Sequence, residues 1–288
     1  MPRTYDGPLE VIAQGFKHAE GPAFDAAGRL WVTDWRSAIL WRVHPDGWVE
    51  DFCHPGGPNG GAFHWNGDYY MTDPGGHRIA RVTPDGAIYT VLDTSEPGGA
   101  YPNDLTFHPS GAIYFTKPVG DYKAVPQPPA RVYRIDPNGA VTTVLEGLLY
   151  PNGINVSADG ARLYVAESHT GLVSIHDIQP DGSVAHSRLL CDVREGQENW
   201  WAPDGMCLDV AGNLYVAVIA CGRVRRVRPD GVIDLDIPVP GQFPTNCCFG
   251  GPANDDLYIT EGRRGEVYKV HIGIPGLELY GPRGWRAG

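Results

Sequence analysis

The chain has no apolar run approaching the roughly 20 residues a membrane helix needs, so no membrane-spanning helix and no membrane partner are expected. It has no basic run either. Lys and Arg total 23 against 34 Asp and Glu, a formal charge of −11. This argues against nucleic acid, which requires a cationic face, so no such partner is expected, and the acidic surface is read as solubility. No segment of useful length carries apolar residues at helical period, which removes the helical fold classes. There is no Gly-x-Ser-x-Gly elbow, hence no sign of a serine nucleophile. The Gly-Gly pairs at 56–57, 60–61 and 75–76 lack a phosphate-loop context. Met1-Pro2-Arg3-Thr4 leads into polar sequence rather than the apolar stretch of a secretory signal. Cys53, Cys191, Cys207, Cys221, Cys247 and Cys248 follow no zinc spacing. Reduced, mostly buried thiols in a cytoplasmic protein are the expectation.

What the chain does have is glycine, proline and a repeat. Its 38 Gly and 26 Pro signal many turns. One frame recurs six times, each copy headed by a small polar residue four places before a large apolar one. The heads are Glu20, Asn59, Asn103, Asn152, Asp204 and Thr245, and Pro precedes the last five. They stand 39, 44, 49, 52 and 41 residues apart, the period of a four-stranded propeller blade.

Each copy reads as strands. The apolar segment after the head is followed by a Gly turn and a β-branched or aromatic run such as Leu30-Trp31-Val32 or Leu163-Tyr164-Val165. A third run alternates apolar and charged residues, as in Arg223-Val224-Arg225-Arg226-Val227, which marks a strand with one wet face. Five copies then turn on Pro-Asp-Gly or Pro-Asn-Gly into a fourth strand. The sixth lacks that turn and strand, whereas a spare strand, Leu9 to Ala13, precedes the first head. The fold expected is all-β: one domain over residues 1–288, a six-bladed β-propeller with four strands per blade, closed by the N-terminal strand. The alternative, a two-sheet sandwich, leaves six matching copies unexplained.

In a propeller the first strand of each blade lines the axis, so the six heads should meet at one end of the channel. Asp34, Asp73, Lys117, Glu167 and Glu261, at the ends of the second strands, form an expected second tier. The longest insertions, 118–130 and 192–202, fall in loops at that same end, as does 96–101. They bring Tyr122, Lys123, Trp200 and Trp201 over the ring. Two carboxylates and three amides supply hard oxygen ligands without imidazole or thiolate, a set suited to Ca²⁺, Mg²⁺ or Mn²⁺. Of the histidines near the heads or in the loops at that end (His18, His64, His108 and His169), His18 is the best functional candidate, two residues before Glu20.

At these residues the chain resembles the SMP-30/gluconolactonase/LRE family, also called the regucalcin family. The segments that carry the resemblance are Glu20-Gly21-Pro22, Pro102-Asn103-Asp104, Pro151-Asn152-Gly153, Pro203-Asp204-Gly205-Met206 and Thr245 to Gly251. The resemblance implies one divalent cation on the axis, Ca²⁺ first, with Mg²⁺, Mn²⁺, Zn²⁺ or Fe²⁺ as alternatives. It puts Glu20, Asn152 and Asp204 in the place of the metal ligands, with Asp204 also the general base. Asn103 falls where the family orients substrate. Tyr101 stands where several sugar lactonases of the family carry Arg, and Phe24 where Trp is common. The implied activity is hydrolysis of a small-molecule lactone; Asn103 and Tyr101 are then expected to position the ring, with Lys117 or Tyr122 as further substrate contacts. A monomer or weak homo-oligomer is expected. Esterase or phosphotriesterase chemistry on the same metal, and a non-catalytic calcium-binding propeller, stand as the alternatives.

Overall fold

The computed structural model describes residues 2–96, 98–195 and 200–277. The loops expected at 96–101 and 192–202 therefore fall partly, and residues 278–288 wholly, outside the described residues.

Six antiparallel sheets follow one another along the chain. Blade one comprises Ala19–Phe24, Leu30–Asp34, Ile39–Val43 and Val49–Cys53. Blade two comprises Gly61–Phe63, Tyr69–Asp73, Arg78–Val82 and Ile88–Asp93. Blade three runs through Leu105–Phe107, Ile113–Lys117, Pro129–Ile135 and Val141–Leu149. Blade four follows with Pro151–Val156, Arg162–Glu167, Leu172–Ile178 and Val184–Asp192. Blade five holds Ala202–Leu208, Leu214–Ile219, Arg223–Val227 and Ile233–Pro238. Blade six has Pro244–Gly250, Asp256–Glu261 and Glu266–His271 from the C-terminal part, and its outer strand is Glu10–Gln14. The spare N-terminal strand thus closes the ring, as the repeat arithmetic requires. Each first strand touches the first strand of the next blade, and that of blade six touches that of blade one, so the six sheets form a closed propeller.

The core lies between blades. Trp31 and Leu40 of blade one pack on Tyr69 and Met71 of blade two. Phe24 and Val32 of blade one pack on Tyr258 and Val267 of blade six. Each such side chain contributes about 1.5–3 kcal/mol when fully buried, so the toroid is held by six similar layers rather than one centre. The Pro-Asp-Gly turns behave as their residues dictate: Gly47 takes φ +86° and donates to His44 O at 2.9 Å.

A row of hydroxyls hooks neighbouring blades together at the level of the heads. Thr33 Oγ1 donates to Asn59 O at 2.5 Å, Thr72 Oγ1 to Asn103 O at 2.6 Å, and Ser168 Oγ to Pro203 O at 2.7 Å. Thr245 Oγ1 donates to Ala19 O at 2.7 Å and so spans the closure between blades six and one. The sequence reading did not anticipate the short strand Arg3–Thr4, which pairs parallel with Ile233–Pro238 as a fifth strand on blade five. All six cysteines are free, with Cys53, Cys191 and Cys247 buried. Among the described residues no helix is long and apolar enough to cross a membrane.

Candidate metal centre and active site

Five of the six heads line one cavity of about 810 Å³ at the end of the channel: Glu20, Asn59, Asn103, Asn152 and Asp204. They arrive there because the strand starts are locked to each other. Four heads are followed by glycine, and the spacing between blades shows why. A Cβ at Gly153 would lie 2.2 Å from Asp204 O, and one at Gly205 would lie 1.9 Å from Asn246 Cγ. Any side chain there would push one blade off the next.

Glu20, Asn152 and Asp204 line the cavity and are otherwise buried. Asn152 Nδ2 donates to Ser168 Oγ at 3.0 Å, which fixes the amide and leaves its carbonyl oxygen with free lone pairs. The same amide lies in hydrogen-bond contact with Asp204, and Glu20 and Asp204 act on each other electrostatically. Residues 20, 152 and 204, from blades one, four and five, therefore share one centre.

The electrostatics of that centre are unfavourable as the chain stands. Burial raises the Asp204 carboxyl well above the usual range, and the charges of Glu20 and Asp104 raise it further. Burial, then Asp104, does the same to Glu20. Asp104 is pushed up to about 7 by burial. Three carboxylates gathered away from water cannot all ionise without a compensating cation. The oxygens of Glu20 and Asp204, with the Asn152 carbonyl, are hard donors of the kind a divalent cation takes, whereas Asp104 does not line the cavity.

Asp104 and Asn246 are the site residues that sequence reasoning passed over. The Asn246 side chain hydrogen-bonds both Glu20 and Asp104, and Asp104 Oδ1 accepts Leu105 N at 2.8 Å. A signal existed: copies three and six carry Asp and Asn directly after the head, where four other copies have glycine. Two polar groups thus replace the glycines beside the axis.

The flanks of the cavity differ from each other. On the side of blades one and six stand His18, Trp35, Arg36 and Phe243. The His18 ring meets Trp35 at 5.5 Å and Phe243 at 5.8 Å, both edge-on. Burial lowers its pKa to about 4, with the Arg36 charge the next cause. On the side of blades three and four stand Tyr101, Gly120, Asp121, Tyr122 and Tyr150. Tyr101 Oη lies 2.5 Å from Tyr150 Oη and donates to Gly120 O at 2.9 Å.

Residues 18–263 match the SMP-30/gluconolactonase/LRE-like region. The chain belongs to this family. A gluconolactonase from Zymomonas mobilis is 30% identical over 272 residues, covering 84% of this chain and 76% of its own. The solved structure of a gluconolactonase from Xanthomonas campestris is similar at 26% identity and a TM-score of 0.78, over 96% of this chain and 91% of that one. A calcium-binding protein, regucalcin, from Agrobacterium tumefaciens superposes with a TM-score of 0.86 over 97% and 99% of the two chains; at 21% identity it speaks for the fold alone.

Against the expectations read from the repeat and the loops, several residues fall elsewhere. Thr245 is a head by alignment but hooks blade one and does not line the cavity. The second tier at the ends of the second strands clamps linkers instead, except Asp73, which accepts Gly76 N at 3.1 Å and Arg78 Nε at 2.8 Å in its own hairpin. Asp34 accepts Lys17 N at 2.7 Å and His18 N at 3.0 Å, Glu167 accepts Leu149 N at 2.6 Å, and Glu261 accepts Phe243 N at 2.9 Å. Lys117 occupies the same repeat position with reversed polarity, and it is not a cavity residue. Its Nζ donates to Thr94 O at 2.8 Å and pairs with Glu96 at 2.8 Å. Trp200 and Trp201 also stay out of the cavity: the first meets His169, and the second lies under Arg225. His64 and His108 serve turns, binding Asn66 and Ser110, and His169 holds the carbonyl of Tyr122. Tyr101, Tyr122, Asn103 and His18 do line the cavity.

Proposed function

We propose that the chain hydrolyses a sugar lactone at this cavity, with one divalent cation, calcium first, held by Glu20, Asn152 and Asp204. The observation that carries the reading is the buried pair Glu20 and Asp204, brought beside Asn152 from blades one and five, with like charge from each other and from Asp104. Similarity to gluconolactonases over most of the chain supports the substrate class. When bound, the cation would polarise the ester carbonyl and stabilise the charge that develops on its oxygen.

The chain's own groups supply the rest. Asp204, ionised once a cation offsets Glu20 and Asp104, takes the proton of the attacking water and returns it to the ring oxygen as the ester bond breaks. Asn103, on the cavity wall, orients the lactone through its amide. Tyr101 and Tyr122 bound the ring on the far flank. Asn246 holds Glu20 and Asp104 in place from below, so that the first strands do not relax when charge changes.

The test uses a pH-stat with neutral and charged aldonolactones, aliphatic lactones and aryl esters, on metal-stripped protein and after adding back each divalent ion. Cation-dependent turnover of a sugar lactone is expected, and Asp204→Asn should lower kcat by about 10²–10⁴, the usual worth of a general base. Cation binding by calorimetry gives a second readout independent of turnover. Full activity in Asp204→Asn, or a panel in which no lactone reacts while the cation binds, overturns the mechanism.

A further inference from the structure

Arg36 belongs to none of the roles above, yet it lines the cavity. It sits on the hairpin between the second and third strands of blade one. That hairpin is pinned, because Asp34 accepts Ser37 N at 3.2 Å as well as the amides of Lys17 and His18. The Arg36 guanidinium stands over the Trp35 ring, 5.4 Å from its centroid. Among the described residues no carboxylate lies within ion-pair distance of it. In a chain of net charge −11, where most arginines have an acidic neighbour, this one is presented unpaired at a cavity mouth.

The other charges at the mouth are already spent or lie across the ring. Glu96 is neutralised by Lys117 at 2.8 Å. Asp121 Oδ1 accepts Lys123 N at 2.8 Å, on the blade-three side. On that flank the Tyr101 hydroxyl donates to Gly120 O at 2.9 Å and contacts the Tyr150 hydroxyl, so the tyrosine pair is engaged with itself and the backbone, and Asp121 adds a negative charge beside it. An anionic group is disfavoured there and favoured at Arg36. Substrate hydroxyls, which donate, suit the tyrosines. The two flanks together select a molecule with hydroxyls at one end and a negative charge at the other.

We propose that Arg36, held over Trp35, is a specificity subsite for an anionic substituent of the lactone, such that the preferred substrate carries a carboxylate remote from its ring ester. The inference rests on the lactonase reading and names the substrate within it. Guanidinium matches a carboxylate through two parallel N–H donors, a geometry that an ammonium does not reproduce.

The experiment compares a neutral aldonolactone with an aldaric acid monolactone, on wild type, Arg36→Gln and Arg36→Lys, each with the divalent ion bound. Wild type should favour the carboxylated lactone in kcat/KM by about tenfold or more, through KM. Arg36→Gln should remove that preference and leave the neutral lactone within about twofold, with Arg36→Lys between them. Added salt should weaken the wild-type preference, since the contact is partly exposed. Equal losses on both lactones, or no wild-type preference, would overturn the subsite while leaving the lactonase reading intact. If neither lactone is hydrolysed, the activity falls but the subsite is still read by calorimetry with open-chain aldarate. Binding at least tenfold weaker in Arg36→Gln upholds it, and identical binding sinks it.

Discussion

Lys117 holds its ammonium against the Thr94 carbonyl and Glu96, inside a linker clamp whose other members are carboxylates. Its place follows from the repeat. The end of the second strand lies beside the linker that enters the same blade, and a charged group there ties down a linker amide or carbonyl. Lys117→Met should therefore cost about 1–2 kcal/mol of stability, the worth of a hydrogen bond from a charged group discounted for the half-exposed Glu96. KM for any substrate should stay within about twofold. Thermal denaturation and steady-state kinetics on one preparation check this; a tenfold rise in KM at unchanged Tm would return Lys117 to the substrate. The sequence made the heads legible because they share a frame and an apolar register. It did not distinguish Lys117 or Thr245 from cavity residues, since whether a polar side chain at a strand end turns to the axis or to the next blade depends on backbone groups of other copies. Asp104 and Asn246 were hidden for a related reason. Their role depends on replacing a glycine beside the channel, which only the distance between blades reveals.

At the scale of the strand, the ring is stitched at its inner edge by hydroxyls rather than by ladders. Thr72 Oγ1 reaches both Asn103 O and Gly60 O, at 2.6 and 3.2 Å, and is fully buried. Thr72→Val keeps the shape and the β-propensity but deletes the donor. A loss of about 0.5–1.5 kcal/mol is expected for the deleted hydrogen bond, since Asn103 O keeps Gly60 N at 3.0 Å and Gly60 O keeps Thr72 N at 2.9 Å. Because Asn103 is the residue displaced, KM should rise as well, while cation affinity, in the proposed site set by Glu20, Asn152 and Asp204, should not move. Denaturant unfolding, kinetics and calorimetric cation titration separate the three quantities, and a change confined to cation affinity would refute the assignment. The closing strand was legible as a strand missing from copy six and a spare one before copy one. Arg3–Thr4 was not: two residues carry no periodicity, and their pairing to blade five is set by where the closing strand anchors the chain.

At the scale of the whole molecule, the three carboxyls on the axis link ring stability to proton and cation concentration. Glu20, Asp104 and Asp204 all have folded-state affinities for protons raised above those of the unfolded chain, Asp104 to about 7. The native state without a cation thus binds more protons than the unfolded state. The stability these groups contribute is fully present below the usual carboxyl range near 4, and is lost as pH rises through about 7 and beyond. A cation held, as proposed, by Glu20, Asn152 and Asp204 would compete with those protons. Its stabilising effect should therefore grow with pH and be accompanied by proton release. The measurement is the Tm at pH 5, 6, 7 and 8, in chelator and in excess calcium. Groups remote from the axis, such as Glu50 held near 2 by Arg42 and the buried His176 near 4, act equally in both arms and cancel in the difference at each pH. The calcium-induced rise in Tm should be small at pH 5 and largest at pH 8. Protons should also appear in weakly buffered solution at pH 7 when calcium is added. A rise in Tm that does not vary with pH would mean that the cation binds groups already ionised, and would overturn its assignment to the buried Glu20 and Asp204.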